Sequence, residues 1–282
     1  MTVVEPARGL SPDQLEAIGA LEQRVVAHDG GRLKLEWSRL RRRAGERAED
    51  VLAWEGGELV GFIGLYGPGA TQIELAGMVD PGHRRHGIGT RLLERALALS
   101  SAAGDPEPLL IVPRESAGGR ALADRHRARF DHSEHALVLH GEPADGPSDP
   151  LLLMRAAERR DVPAIMALMS SGFGFAPPDT AERLSADGVR SFVFEREGRV
   201  VGTLRVHLDD DPAGVYGFAV DPHCRGRGIG RDALRRTCRA LRELGAQDVG
   251  LEVAVENDRA LNLYTSLGFE PVITEDYWAI AA

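Results

Sequence analysis

Apolar positions in this chain alternate between two periods. Residues 191–195 and 200–207 are β-rich runs joined through Glu197-Gly198, a dipeptide that signals a tight hairpin. Residues 215–220 form another such run, cut off by Asp221-Pro222. From 228 to 244 the period lengthens: Ala233, Leu234, Thr237 and Cys238 keep the spacing of one buried helical face. The pattern further predicts a strand at 151–154, a helix at 162–169 begun near Asp161 with Pro163 in its first turn, and a strand at 249–253. A helix at 259–267 stopped by Gly268 and a closing strand at 277–280 complete the half. The first half repeats the order, with hairpin strands at 51–54 and 58–66. Each half is therefore expected to be mixed α/β.

The two halves are also alike in sequence. Val79-Asp80-Pro81-Gly82-His83-Arg84-Arg85-His86-Gly87-Ile88-Gly89 returns 141 residues later as Val220-Asp221-Pro222-His223-Cys224-Arg225-Gly226-Arg227-Gly228-Ile229-Gly230, and the chain has 282 residues. Leu92, Leu93, Ala96 and Leu97 precede Ala233, Leu234, Thr237 and Cys238 by the same interval. A duplicated domain follows. Residues 141–150, Gly-Glu-Pro-Ala-Asp-Gly-Pro-Ser-Asp-Pro, suit no regular element and are expected to be the linker between a first domain at 1–140 and a second at 151–282.

Composition narrows the chemistry. The net charge of -9 and pI near 5.5 argue against a broad nucleic-acid footprint, so an anionic ligand must be held by local geometry. The 34 basic residues include one lysine, Lys34, which lies in neither a phosphate-binding loop nor a pyridoxal context. Two cysteines, Cys224 and Cys238, cannot build a disulfide framework. His126, His132 and His135 lack partnering cysteines and read as solvated surface, so no metal is expected. No apolar run approaches the roughly 20 residues that span a bilayer, and residues 1–6 lack the pattern of a secretory signal. A cytoplasmic protein without membrane or nucleic-acid partners is expected, as monomer or homodimer.

In both copies a strand ends at Val-Asp-Pro and a helix begins at Gly-Ile-Gly. Such a turn aims several unpaired backbone N–H groups at one spot beside the positive end of the helix dipole. Glycines at 226, 228 and 230 permit left-handed backbone and close approach, and Arg225, Arg227 and Arg231 can add contacts to phosphate oxygens. The glycine order and the missing downstream acid differ from the dinucleotide-binding fingerprint, so a pyrophosphate held by another fold fits better.

These residues resemble a known family. Arg225-Gly226-Arg227-Gly228-Ile229-Gly230, and again Arg84-Arg85-His86-Gly87-Ile88-Gly89, match the Gln/Arg-x-x-Gly-x-Gly/Ala motif of the GCN5-related N-acetyltransferases. Asn257-Asp258-Arg259-Ala260-Leu261-Asn262-Leu263-Tyr264-Thr265-Ser266-Leu267-Gly268-Phe269 looks like the family's second signature. The resemblance implies two tandem copies of that fold, each a mixed, largely antiparallel sheet flanked by helices. It implies acetyl-CoA as cofactor, with the pyrophosphate on the glycine loop and the pantetheine arm along the preceding strand. In the second copy this involves Phe218, Ala219, Val220, Arg225, Gly226, Arg227, Gly228, Ile229, Gly230, Arg231 and Asn257; in the first, Met78, Val79, Arg84, Arg85, His86, Gly87, Ile88, Gly89 and Thr90.

Acyl transfer to an amine requires a deprotonated amine, a polarised carbonyl and a protonated leaving thiolate. Tyr264 matches the family's proton donor, or packs in the core as an ordinary helix residue. Backbone N–H groups near residues 218–220 would polarise the carbonyl. Asn257 either bonds the pantetheine arm or only caps the helix. Glu252, twelve residues before Tyr264, stands where some relatives that acetylate protein N-termini use a glutamate as base; a solvent-facing or arginine-holding role is the alternative. His207 and Asp209-Asp210-Asp211 are rivals, and residues 172–175 are expected to line the acceptor pocket.

Aligning Phe130 with Phe269 puts Arg125 opposite Tyr264, Gly118 opposite Asn257 and Arg129 opposite Gly268, with Ile111 or Pro113 opposite Glu252. The first copy is accordingly expected to keep a cofactor-type loop without efficient chemistry. The whole is read as an acetyl-CoA-dependent N-acetyltransferase acting on a small-molecule primary amine from its C-terminal domain; a peptide or protein N-terminus is the alternative acceptor, and a non-catalytic acyl-CoA-binding or regulatory protein the alternative role.

Overall fold

The computed structural model describes residues 1–67, 72–174, 180–184, 188–209 and 212–281. In chain order these form β1 (Val3–Ala7), α1 (Pro12–Asp29), α2 (Trp37–Arg41), β2 (Asp50–Glu55), β3 (Glu58–Tyr66), β4 (Ile73–Val79), α3 (Ile88–Ala102), β5 (Pro108–Pro113), α4 (Ala117–Arg125) and β6 (Arg129–His140). The second copy follows as β7 (Leu152–Ala156), α5 (Val162–Phe173), α6 (Thr180–Arg183), β8 (Val189–Arg196), β9 (Arg199–His207), β10 (Ala213–Val220), α7 (Ile229–Glu243), β11 (Asp248–Ala254), α8 (Asp258–Thr265) and β12 (Glu270–Ala279).

The chain divides into two compact units, Met1–His135 with Val272–Ala282, and Ala136–Pro271. In the first unit the strand order is β1-β2-β3-β4-β5-β12, and the first part of β6 flanks β12. β4 and β5 run parallel, whereas β1/β2, β2/β3, β3/β4 and β5/β12 are antiparallel. Helix α3 covers one face through Ile88, Leu92, Leu93 and Ala96, and α1 covers the other through Ile18, Leu21 and Val25. The second unit has the order β11-β10-β9-β8-β7, with the second part of β6 beside β11. Its parallel pair is β10/β11. Helix α7 buries Ala233, Leu234, Thr237 and Cys238, the face that the spacing predicts, and α5 packs Ile165 and Met169 on Val193. Both units are mixed, largely antiparallel sheets between helices.

The borders differ from those expected at 140 and 151. Leu137 and Leu139 of β6 belong to the core of the second unit, while Tyr277, Ala279 and Ile280 at the chain's end are buried in the first. Each copy thus gives the end of its last strand to the other unit. Nor is 141–150 a free linker, because α7 holds it: Arg235 donates to the carbonyls of Ala144 (2.9 Å) and Pro147 (3.0 Å), and the Asp149 amide donates to Asp232 (2.9 Å). Buried Asp232 and Arg235 therefore find partners in a Pro/Gly stretch that sequence pattern alone leaves unattached. Among the described residues no helix is long and apolar enough to cross a membrane.

The repeat stays in register through the last helices. Ser116 caps α4 and Asn257 caps α8, each accepting from the amide three residues on, and the two caps are 141 apart. At that interval Ala123, the buried residue of α4, stands where α8 buries Tyr264. Arg127 replaces Gly268, both with positive φ. This corrects the alignment on Phe130: the aromatic side chain is shared, but Phe130 is 46% exposed whereas Phe269 is buried.

Candidate active site

At the end of β10, Asp221 accepts from the His223 amide (2.9 Å) and from Arg199 (2.7 Å), which fixes the turn. Arg225 donates through Nε to the Val220 carbonyl (2.9 Å), tying the loop back to the strand. Gly226 and Gly228 take φ of +78° and +82°, the left-handed region where a side chain costs about 1 kcal/mol or more. Gly228 is the N-cap of α7 and no side chain caps this end. Among the described residues no loop hydrogen bond uses the amides of residues 226–230. Several donors at the positive end of a 15-residue helix are thus left for an anion. A Cβ on Gly230 would lie 3.0 Å from Leu263 Cδ1, 3.7 Å from Phe218 Cζ and 3.8 Å from Val220 Cγ2, so strand, loop and α8 meet there. Ile229 is buried as the first anchor of α7. Arg231 donates through Nε to Ser266 Oγ (2.8 Å), fixing α7 to α8 as well as adding charge.

The strand before this loop is irregular. β9 and β10 pair as Arg205 with Tyr216 and Thr203 with Ala219, so β10 carries one extra residue between them, a β-bulge. Gly217 takes φ +59° there, and its Cβ position would touch Met169 (3.4 Å) and approach Arg205 Nε (3.7 Å). A bulge leaves backbone groups out of the ladder, free to meet a ligand carbonyl. Among the described residues β10 pairs in parallel with β11 at Ala213/Val249 and Gly214/Gly250 and not along the bulged stretch, where the strands part. The corresponding strand of the first unit, β4, runs without a bulge, from Gly61/Val79 to Tyr66/Glu74.

Tyr264 is 8% exposed on α8, and burial pushes its phenol up to about 12. Asn257 caps the same helix with its side-chain oxygen on the Ala260 amide (3.1 Å), which leaves its amide NH₂ for another partner. Glu252 is half-buried on β11. His207 packs against Tyr216 (ring centres 4.5 Å apart) at the other end of β10, and Asp209 is exposed. Asp210, Asp211 and Phe175 lie outside the described residues. Gly172 does meet β10, its Cβ position 3.3 Å from Ala219, while Phe173 is exposed. On this α5 side a cavity is lined by Ile165, Met169, Leu184, Ser191, Arg205 and Gly217. Ser191 Oγ is buried there without a hydrogen bond. Sequence reading names neither the cavity nor the bulge; a glycine inside the run 215–220 is the available signal. Among the described residues no group of three His, Cys, Asp or Glu is placed to hold a metal ion.

The first copy keeps the loop's shape. Arg84 donates through Nε to the Val79 carbonyl (3.1 Å), Gly87 caps α3 at φ +77°, and Gly89 lies under Val79. Met78 and Ile88 are buried, and Thr90 sits in the first turn of α3. His86 is exposed, and Arg85 takes φ +65° where the second copy has Gly226. Its arginine is engaged differently: both terminal nitrogens of Arg84 donate to Asp29, at 2.8 and 2.6 Å.

The second copy thus has an anion loop after a bulged strand and a buried phenol on α8. The Acetyltransferase (GNAT) family matches residues 20–113 and 163–269. The chain belongs to this family. The GNAT relatives include the mycothiol acetyltransferases of Thermomonospora curvata, 31% identical over 93% of this chain and 92% of that one, and of Thermobispora bispora, 32% identical over 95% and 96%. In fold the chain is similar to a GCN5-related N-acetyltransferase from Sphaerobacter thermophilus (TM-score 0.79, 19% identity, 98% and 94% covered). It is also similar to a tandem GNAT protein from the clavulanic acid biosynthesis pathway (TM-score 0.71, 18% identity, 99% and 98% covered). The chain is thus an N-acetyltransferase built from two GNAT segments. GNAT enzymes in general use acetyl-CoA, and the second-copy loop fits such a group: its glycines leave room and its amides are uncommitted.

Proposed function

We propose that the second copy binds acetyl-CoA and transfers its acetyl group to the primary amine of a small molecule. The observation that carries this reading is the one-residue bulge at Gly217, present in β10 and absent from β4. Amides of residues 226–231 would hold the diphosphate, with Arg225 and Arg227 adding charge; the open edge of β10 from Phe218 to Val220 would hold the pantetheine arm, with Asn257 opposite. When bound, acetyl-CoA supplies an activated thioester. Backbone N–H groups at the bulge polarise its carbonyl. As the amine nitrogen bonds to the carbonyl carbon and the carbon–sulfur bond breaks, Tyr264 gives its proton to the departing sulfur; a phenol held near 12 is still protonated at neutral pH. Glu252 takes one proton of the incoming ammonium, and the second proton that the nitrogen sheds on becoming an amide restores the Tyr264 phenol.

The test combines calorimetry with coenzyme A and free-thiol release with a panel of amines, headed by the amine that mycothiol acetyltransferases acetylate. Expected are heat of binding, thiol release with at least one small amine, and loss of both when Gly226 and Gly228 are replaced by Asp. No heat with coenzyme A, or turnover that survives both substitutions, would overturn the reading.

A further inference from the structure

The first unit contains two ion contacts that have no counterpart among the described residues of the second copy, and both come from one short segment. Asp29, the last residue of α1, makes a two-pronged pair with Arg84. The Arg84 guanidinium holds the Asp29 carboxyl below the usual carboxylate range, so it is charged at neutral pH. Arg225, the counterpart of Arg84, makes the same Nε contact to its strand. Five residues on, Lys34 reaches back into the sheet. Its ammonium donates to Tyr277 Oη (2.5 Å), lies 3.5 Å from Glu74 and 3.8 Å from Glu134, and sits 5.0 Å from the centre of the Tyr277 ring. Tyr277 Oη donates in turn to Glu134 (2.8 Å), and His132 stacks on the same ring at 4.1 Å. Arg32 of the same segment lies 3.4 Å from buried Glu275.

Strand pairing says what these places correspond to. Glu74 pairs with Leu109 across the parallel strands of the first unit, as Gly214 pairs with Gly250 in the second. Lys34 thus puts a primary ammonium beside the parallel strand pair, and Asp29 puts an anionic oxygen pair on the arginine of the glycine loop. One is a primary cation, as an acceptor amine is; the other is a bidentate anion, as a phosphate is.

We propose that residues 29–34 are a built-in plug that keeps the first copy empty, Asp29 standing in for a phosphate on Arg84 and Lys34 for an amine among Glu74, Glu134 and Tyr277. This rests on the functional reading above for the second copy. The first loop then binds no coenzyme A in the native chain although its glycine turn is intact, and removing the carboxylate both frees Arg84 and abolishes its repulsion of a diphosphate.

Calorimetric titration of the full chain with coenzyme A tests the first half of the plug. Expected stoichiometry is one site per native chain and two in Asp29→Ala. With Gly226 and Gly228 both changed to Asp it is none, rising to one when Asp29→Ala is added. Asp29→Asn, of the same size, replaces Asp29→Ala should the latter not fold. Two sites in the native chain, or one site in a folded Asp29 variant, would overturn the proposal; a native chain that binds nothing, or whose binding survives the double glycine change, would instead sink the functional reading. Thermal unfolding tests the second half. Propylammonium chloride should stabilise Lys34→Ala relative to sodium chloride at equal ionic strength and leave the native chain unmoved. Equal shifts for both chains would overturn the role of Lys34.

Discussion

Arg127 and Gly268, 141 positions apart, hold the same left-handed turn after the last helix of each copy, at φ +54° and +97°. In each, the next amide donates back to the helix residue five positions earlier, Ala128 to Ala123 (3.0 Å) and Phe269 to Tyr264 (3.2 Å). The turn therefore positions Tyr264 and brings buried Phe269 against it.

Gly268→Ala should be costly. A Cβ there adds left-handed strain and would lie 3.3 Å from Leu139 Cδ1, so about 1–2 kcal/mol of stability should be lost, read as a lower urea midpoint at unchanged slope. Arg127→Gly should be close to neutral, because relief of strain is offset by the entropy of glycine. Equal effects at the two positions would remove backbone conformation as the cause.

How much of this was legible in the sequence varies with the range of the interaction. The glycine loops, the helix faces and the succession of elements along the chain are local patterns, and 141 is visible in the motifs themselves. The last-helix register is hidden because Phe130 and Phe269 are the same residue type, whereas the cap Ser116 and the left-handed Arg127 that preserve the register look nothing like Asn257 and Gly268. Nothing local marks that Tyr277 is buried in the first unit, or that Asp29 lies on Arg84; both contacts span more than fifty residues and depend on how the chain closes. The bulge escapes for a different reason: an extra residue in one strand shows only against its partner.

Tyr264→Phe should reduce kcat by roughly 10²- to 10⁴-fold with coenzyme A affinity nearly unchanged, since the ring stays and only the proton is lost. Because burial holds this phenol near 12, the native rate should show no alkaline loss from it below about pH 11. An unchanged kcat in the variant would take Tyr264 out of the chemistry.

Deleting residues 272–282 should unfold the first unit while sparing the second. The deletion removes buried Tyr277, Ala279 and Ile280 and the Asp276 carboxylate on Arg114 (2.7 Å). Loss of one large buried side chain alone costs about 3–5 kcal/mol, comparable with a domain's whole stability. Hydrogen exchange should show protection lost across β2 to β5 and kept in β9 to β11. Retained protection in β5 would refute the assignment of the terminal strand to the first unit.

Acid should strengthen one part of the first unit before it weakens the rest. Asp50 is fully buried, and although Arg43 lies at 2.9 Å, loss of water raises its carboxyl to about 6. A folded value above the unfolded one, near 4, means that the folded state binds the proton more tightly. The stabilisation is complete below about pH 4 and is lost as pH rises through 6, an effect on the order of 2–3 kcal/mol at 1.36 kcal/mol per unit. Asp29 and Asp80 act in the opposite sense: Arg84 holds Asp29 low, and Asp80 is lowered by its bonds to Arg24, His83 and the Gly82 amide against the opposing effect of burial. What those two contribute is present above pH 4 and disappears as acid protonates them. Urea midpoints should therefore rise from pH 7 to about 5 and fall again below 4. In Asp50→Asn, whose neutral side chain imitates the protonated carboxyl, the rise between pH 7 and 5 should vanish; a rise that persists in this variant would mean that another group binds the proton.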